Sequence, residues 1–338
     1  MKILVIRNDK LGDFVLTLPC YAMLKTAFPD AQISVLVPEY TADIAHCSPY
    51  IDQVITDTDG NSVTAVGNLV NELRTHHFDA AITLFSTTRT GLAIFLAGIK
   101  YRLAPATKIA QLFYNHRLQQ RRSRSDKPEY TYNLDLIKTY LSDQGIHNIP
   151  EPARPFLSFD KTLINQLRDQ FCRQFSIDKS KKLIFIHAGS GGSANNLSLE
   201  QYAHLVALLN LNNKYTLILT AGPGEENKIT ALSKLMQDNP HVVYQSKQGL
   251  ANFAQHIALA DLFISGSTGT LHIAGALDVP TAAFYTRRRS ATPLRWQTLN
   301  TQDRRLAFTP PESADEMDMR QIDIEAAANE INEKFLKN

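Results

Sequence analysis

Apolar positions along the chain follow two periods. Continuous apolar, β-branched runs at 2–7, 32–37 and 78–85 have the character of buried parallel strands, with shorter ones at 54–55 and 101–103. Between them, helical spacing covers 14–28 (Phe14, Val15, Leu18, Tyr21, Ala22, Leu24, Phe28), 61–76 and 91–97. Residues 108–127 break the pattern, and 130–143 resume a helix. The proline-rich stretch 149–155 is expected to be extended and to mark a domain boundary. A second series then begins. It reads as helix 161–175, strand 182–187, a helix over 198–210 opened by a Ser198/Gln201 capping box, and strand 215–220. Helix 227–237, strand 242–244, helix 250–259, strands 261–265 and 281–285 and a terminal helix 322–335 complete it. This alternation predicts an α/β protein of two similar domains, 1–155 and 156–320, each a parallel sheet covered on both faces. Two such domains suggest a cleft between them.

In open parallel sheets ligands sit beyond the carboxyl ends of the strands. Four polar loops fall at such ends: 8–13, 188–194, 222–226 and 266–270. The last belongs to Ser265-Gly-Ser-Thr-Gly-Thr-Leu-His272, a strand, a small-residue turn and a helix start. Free N–H groups and the positive end of the helix dipole make such a start an anion seat. Ser267, Thr268 and Thr270 add hydroxyl donors, and Gly266 and Gly269 allow close approach of a ligand. An ordinary capped βα turn would use the same residues. His272, one turn on, is placed either to donate to a phosphate oxygen or to pack in the core. Glu225 and Glu226 follow Gly222-Pro-Gly at a strand end, where a carboxylate can accept from ribose hydroxyls or simply complement a helix dipole.

Asp13 follows Gly12 at the end of the first strand-to-helix turn, the position of a general base or of a helix-dipole partner; Asp9 is a weaker candidate in the same turn. The turn is not G-x-G-x-x-G and no Walker A lysine is present, which disfavours nicotinamide hydride transfer and places the nucleotide on the second domain. Arginine is concentrated at Arg117, Arg121, Arg122 and Arg124, and again at Arg287, Arg288, Arg289, Arg295, Arg304 and Arg305. Guanidinium forks suit an acceptor carrying several anionic groups or anionic lipid headgroups, and solvated loops have the same composition. Neither run is interleaved with aromatics on a strand, so nucleic acid is not expected.

Composition narrows the class without naming it. The 338 residues are 44% hydrophobic and 20% charged with a net charge of +2, which fits a globular chain with real cores. Cys20, Cys47 and Cys172 are odd in number and far apart, matching neither a disulfide framework nor zinc spacing. No run approaches the ~20 apolar residues of a membrane span, so a cytoplasmic protein that touches a membrane surface is expected.

The opening Met1-Lys-Ile-Leu-Val-Ile-Arg-Asn-Asp-Lys-Leu-Gly-Asp-Phe-Val-Leu-Thr-Leu-Pro19, the 266–277 turn and Pro293-Leu-Arg-Trp296 together resemble glycosyltransferase family 9, the ADP-heptose:lipopolysaccharide heptosyltransferases. The resemblance implies a GT-B fold of two Rossmann-like domains, with the acceptor on the first and a nucleotide-sugar donor, ADP-heptose, on the second. It implies inverting transfer without a metal or other cofactor. Asp13 would be the base. Ser190, Glu225, Glu226, Ser267, Thr268, Gly269, Thr270 and His272 would bind the donor. Lys10, Gly12, Arg117, Arg121 and Arg122 would bind the lipid A–core oligosaccharide acceptor. It also implies a monomer, peripheral at the cytoplasmic face of the inner membrane, whose terminal helix (321–338) packs back toward the first domain. One departure stands out. Where the family often carries a Lys-Arg/His-Trp-Pro run, this chain has Asn195-Asn-Leu-Ser198, and the Asp frequent before the Thr-Gly is Ser267. A UDP- or GDP-sugar transferase, a GT-B epimerase or a non-catalytic relative are the alternatives this leaves.

Overall fold

The structure, a computed structural model, describes residues 1–57, 60, 62–107, 109–189, 195–210 and 214–337. Two compact units divide at Leu157 and Ser158, two residues beyond the expected boundary. In the first unit β1 (Lys2–Ile6), β2 (Gln32–Pro38), β3 (Gln53–Asp57), β4 (Ala80–Thr83), β5 (Tyr101–Pro105) and β6 (His116–Leu118) form one sheet in the order β3-β2-β1-β4-β5-β6. In the second, β7 (Lys182–His187), β8 (Tyr215–Ala221), β9 (His241–Gln245), β10 (Leu262–Gly266), β11 (Thr281–Phe284) and β12 (Arg305–Phe308) run β12-β11-β10-β7-β8-β9. Every pairing is parallel. Counted from its own first strand, each sheet has the dinucleotide-fold order 3-2-1-4-5-6.

Central strands need two covered faces, and their composition supplies them: Ile3, Leu4, Val5 and Ile6 of β1, and Leu183, Ile184, Phe185 and Ile186 of β7, are fully buried. The edge strands β6 and β12 escaped the sequence reading because they are short, polar and only partly buried. The helix Glu39–His46 escaped it for its brevity.

The single helix expected over 14–28 is two, Leu11–Val15 and Leu18–Ala27. Pro19 has no N–H to continue the ladder and instead takes the first turn of a new helix.

The helix Leu199–Leu209 begins with the predicted box: Gln201 N donates to Ser198 Oγ at 3.2 Å and Ser198 N to Gln201 Oε1 at 3.0 Å. The terminal helix is Ile324–Ile331. Its buried residues Ile324, Ala327, Ala328 and Ile331, an apolar stripe at helical spacing, join Tyr202, Leu205 and Leu209 in the core of the second unit.

Candidate functional site

Where the strand order reverses, between β1 and β4 in the first unit and between β7 and β10 in the second, adjacent loops part and leave a crevice at the carboxyl edge. The two motifs singled out from sequence leave β1 and β10, so each borders the switch point of its own sheet.

The first is organised by Arg7, which ends the apolar run of β1 and is 2% exposed. Its Nε donates to Asp9 Oδ1 at 2.7 Å, Nη1 to Glu129 Oε1 at 3.0 Å and Asn133 Oδ1 at 3.2 Å, and Nη2 to Asp13 Oδ1. Burial opposes the Arg7 charge, but Asp9, Asp13 and Glu129 outweigh it and hold the group cationic. At Asp13, by contrast, burial prevails and pushes the carboxyl up to about 6; Arg7 works against that rise, while Asp9 and Glu129 add to it. Glu129 also accepts from Arg122 Nη1 at 2.8 Å. A second layer supports the turn: Asn8 Nδ2 donates to Asp57 Oδ2 at 2.9 Å, and Arg89 holds Asp57 with both nitrogens at 2.6 and 2.7 Å.

The expected acceptor residues do not all meet here. Gly12 flanks Asp13, and Lys10 is exposed in the same turn. Arg122 is engaged by Glu129 and Gln120, so it serves the scaffold of the turn. Arg121 is exposed on a groove of about 610 Å³ shared with Lys127, Tyr132, Asp135 and Lys138, a lining of mixed sign. Arg117 lies on edge strand β6, paired in register with Ala104. The three arginines therefore do not form one anion seat.

In the second unit Thr268 caps the helix Gly269–Ala276, with Leu271 N donating to its Oγ1 at 3.4 Å. Thr268 Oγ1 lies 3.2 Å from Ser265 Oγ and 3.0 Å from Thr270 Oγ1, so the hydroxyls form a chain around the helix start. Ser267, Gly269 and Thr270 are partly open to solvent. Gly266 is required by its neighbours: a Cβ there would fall 2.4 Å from Asn196 Oδ1. Asn196 ties the β7 loop together, donating to Ala188 O at 3.1 Å and Gly189 O at 3.3 Å and accepting from Tyr202 Oη at 2.6 Å. His272 is buried, and burial pushes it down to about 4, so it is neutral; its Nδ1 has no hydrogen-bond partner among the described residues. The Trp296 ring lies 6.3 Å from it, which brings the late Pro293–Trp296 segment to this helix.

Glu225 and Glu226 part company. Glu225 accepts from Gly222 N at 2.8 Å and lies 3.7 Å from His187 Nε2, whereas Glu226 is exposed. Burial pushes His187 down while Glu225 opposes that shift. The Glu225 carboxylate also fills the space beside Gly189, where a Cβ would meet Oε1 at 1.9 Å. Arg287 Nη2 donates to Glu312 O at 3.2 Å and to Ala314 O at 2.7 Å. Arg288 and Arg289 are exposed. Asn195 is exposed and donates to Met317 O at 3.4 Å. Ser190 lies outside the described residues. Among the described residues no group of three or more His, Cys, Asp or Glu is set to hold a metal ion.

Sequence reading missed Arg7, Glu129, Asn133, Asn196 and His187. An arginine closing an otherwise apolar buried strand was the available signal for Arg7, since a buried cation needs carboxylates around it. Glu129 and Asn133 are one helical turn apart, a spacing shared by many surface helices.

A sequence profile of glycosyltransferase family 9 (heptosyltransferase) matches residues 66–321. A Haemophilus influenzae protein named "Putative glycosyltransferase" is 46% identical over 340 residues, covering 100% of this chain and 97% of that protein. Lipopolysaccharide heptosyltransferase 2 of Salmonella typhimurium is 23% identical, over 84% of this chain and 82% of its own. Among solved structures, E. coli ADP-heptose lps heptosyltransferase II has a TM-score of 0.79 at 19% identity, over 100% of this chain and 99% of that one. E. coli heptosyltransferase WaaC with ADP has a TM-score of 0.74 at 18% identity, over 99% and 100%. The two units have the GT-B fold of these structures, and the chain belongs to glycosyltransferase family 9, a family of transferases.

Proposed function

We propose that the protein transfers a heptose from ADP-heptose to the inner core of lipopolysaccharide with inversion, Asp13 acting as general base. The observation that carries this reading is Asp13 itself: a carboxylate at the β1 switch point, oriented by buried Arg7, with its carboxyl raised to about 6. Such a group is ionised at neutral pH yet basic enough to take a hydroxyl proton. In the step proposed, the acceptor oxygen attacks the anomeric carbon and its proton passes to Asp13. The anomeric C–O bond to the diphosphate breaks and ADP departs with the electron pair. Ser267, Thr268, Gly269 and Thr270, at the start of Gly269–Ala276, receive the growing charge on the diphosphate. His272 stands behind them as a neutral donor. Glu225, held in place by Gly222 N, accepts from the ribose, and exposed Glu226 does not. Lys10, Gly12 and Arg121 face the acceptor.

The relatives support this reading through their names: a lipopolysaccharide heptosyltransferase, and a heptosyltransferase solved with ADP. The protein would then work as a monomer at the cytoplasmic face of the inner membrane. No described helix is long and apolar enough to cross one. Asn195, standing where a donor-binding lysine is frequent, favours a second reading in which the same machinery takes a different nucleotide sugar.

Calorimetry against ADP, UDP, GDP, CMP and ADP-heptose separates the two. ADP preference strengthened by the heptose, with turnover on a heptose-deficient lipopolysaccharide core, supports the first. Preference for UDP or GDP replaces the donor and keeps the mechanism. Absence of nucleotide binding overturns both.

A further inference from the structure

Four of the large apolar side chains that remain exposed fall in one short part of the first unit. Phe95 and Leu96 end the helix Thr88–Leu96 at 50% and 44% exposure, and Ile109 and Leu112 stand at 71% and 74%. Residues Ile109–Phe113 form a 3-10 helix, which stacks positions i and i+3, so Ile109 and Leu112 project together while Ala110 is buried. The two segments are packed: the rings of Phe95 and Phe113 are 6.1 Å apart, and a Cβ on Gly91 would lie 3.1 Å from Phe113. An exposed apolar cluster of this kind calls for a partner.

Its surroundings are basic. The Arg102 guanidinium lies 5.4 Å from the Phe95 ring centroid, Arg74 Nη2 donates to Leu96 O at 2.8 Å, and Lys100 is exposed. Arg117 pairs in register with Ala104, and side chains two apart on a strand share a face, so Arg117 is on the same side of the sheet as Arg102. No Asp or Glu occurs between Asp79 and Asp126. Asp143 meets Tyr101 and His116, whose register places them on the opposite face.

We propose that this face, Phe95, Leu96, Ile109 and Leu112 rimmed by Arg74, Lys100, Arg102 and Arg117, is the surface by which the protein rests on an anionic phospholipid bilayer. Apolar side chains enter the interfacial layer while the cations meet lipid phosphates. A second copy of the chain is a poorer occupant, since a two-fold contact would set the same cations against each other. The proposal deepens the reading of the acceptor as lipid-linked, and its test uses neither donor nor acceptor.

The experiment is co-sedimentation of the full chain with phosphatidylcholine vesicles, with and without phosphatidylglycerol. The wild-type protein is expected to bind the anionic vesicles, less so at high salt. Ile109→Ser with Leu112→Ser, both exposed in the native chain, should weaken binding at least about tenfold. Lys100→Glu should weaken it about fivefold or more. Far-ultraviolet circular dichroism and a thermal unfolding midpoint that match the wild type show that the variants fold. No binding of the wild type, variants that bind as the wild type does, or a dimer in light scattering that Ile109→Ser dissolves would each overturn the proposal. Failure of heptose transfer alone would leave the vesicle result standing and remove only the reading of the acceptor.

Discussion

Arg7 Nη1 lies 3.0 Å from Glu129 Oε1, joining the end of the first strand to a helix 122 positions later. Both side chains are almost fully buried, and the same guanidinium also holds Asp9 and Asp13. Three carboxylates around one cation is an acid-rich arrangement. Desolvation and mutual repulsion drive Asp13 toward its neutral form, and Arg7 limits the drift. Arg7 is thus a positioning residue that also sets the proton affinity of the proposed base.

The acidic limb of turnover should therefore follow Asp13. With its carboxyl raised to about 6, kcat is expected to fall about tenfold per pH unit below that value and to level off above it. Arg7→Lys replaces a fork with one ammonium and cannot serve all the acceptors at once. It should move the limb to higher pH while leaving donor affinity, measured by calorimetry, unchanged. An unmoved limb in Arg7→Lys would show that Arg7 has only a structural role.

Asp13→Ala should lower turnover by roughly 10²–10⁴, the usual range for a lost general base. ADP binding should persist, because Asp13 belongs to the first unit and the proposed donor seat to the second. Single-turnover assays with calorimetry on the same sample check both halves. Retained turnover would sink the base assignment.

Asp13→Asn should stabilise the fold at high pH. The folded pKa of Asp13 is raised above its ordinary value, so the native state keeps a proton that the unfolded chain gives up. Stability is then lost as pH rises from about 4 through about 6, by up to roughly 3 kcal/mol. Asparagine never ionises and still offers an oxygen to Arg7 Nη2. Thermal unfolding should show the variant several degrees more stable than the wild type at pH 8 and equal to it near pH 4. A less stable variant at pH 8 would mean that the ion pair with Arg7 outweighs desolvation.

Most of the fold was legible because a buried parallel strand must be apolar on both faces, and β1, β7 and β10 announce themselves that way. Edge strands β6 and β12 face that demand on one side only and carry Arg117 and Arg305. Asp13, Thr268 and Glu225 stood out as candidates because turn glycines and strand ends mark them locally. Their supports were not. Glu129 is far from Arg7 in sequence, and Asn196 fills the space opposite Gly266 from a different strand's loop. The arginine cluster misled for a related reason: Arg117, Arg121 and Arg122 are near in sequence, but a strand and a tight turn send them to different surroundings.

Glu225 and Glu226 are adjacent in sequence and should differ sharply on substitution. Glu225 is pinned by Gly222 N at 2.8 Å and lies beside His187, whereas Glu226 is exposed. A pinned carboxylate can accept from ribose hydroxyls without ordering itself at the moment of binding, which is where a free side chain loses affinity. Glu225→Ala should weaken nucleotide binding about tenfold, one charge-assisted hydrogen bond's worth, and Glu226→Ala by less than about twofold. Gly189→Ala tests the same contact from the other side. Its Cβ would collide with Glu225 Oε1 and drive the carboxylate from its place, so its affinity should fall to the level of Glu225→Ala. The double variant should be no worse than either single one, because both act on the same side chain. Additive losses would mean that Gly189 and Glu225 serve the donor independently, and equal effects of Glu225→Ala and Glu226→Ala would remove Glu225 from the donor site.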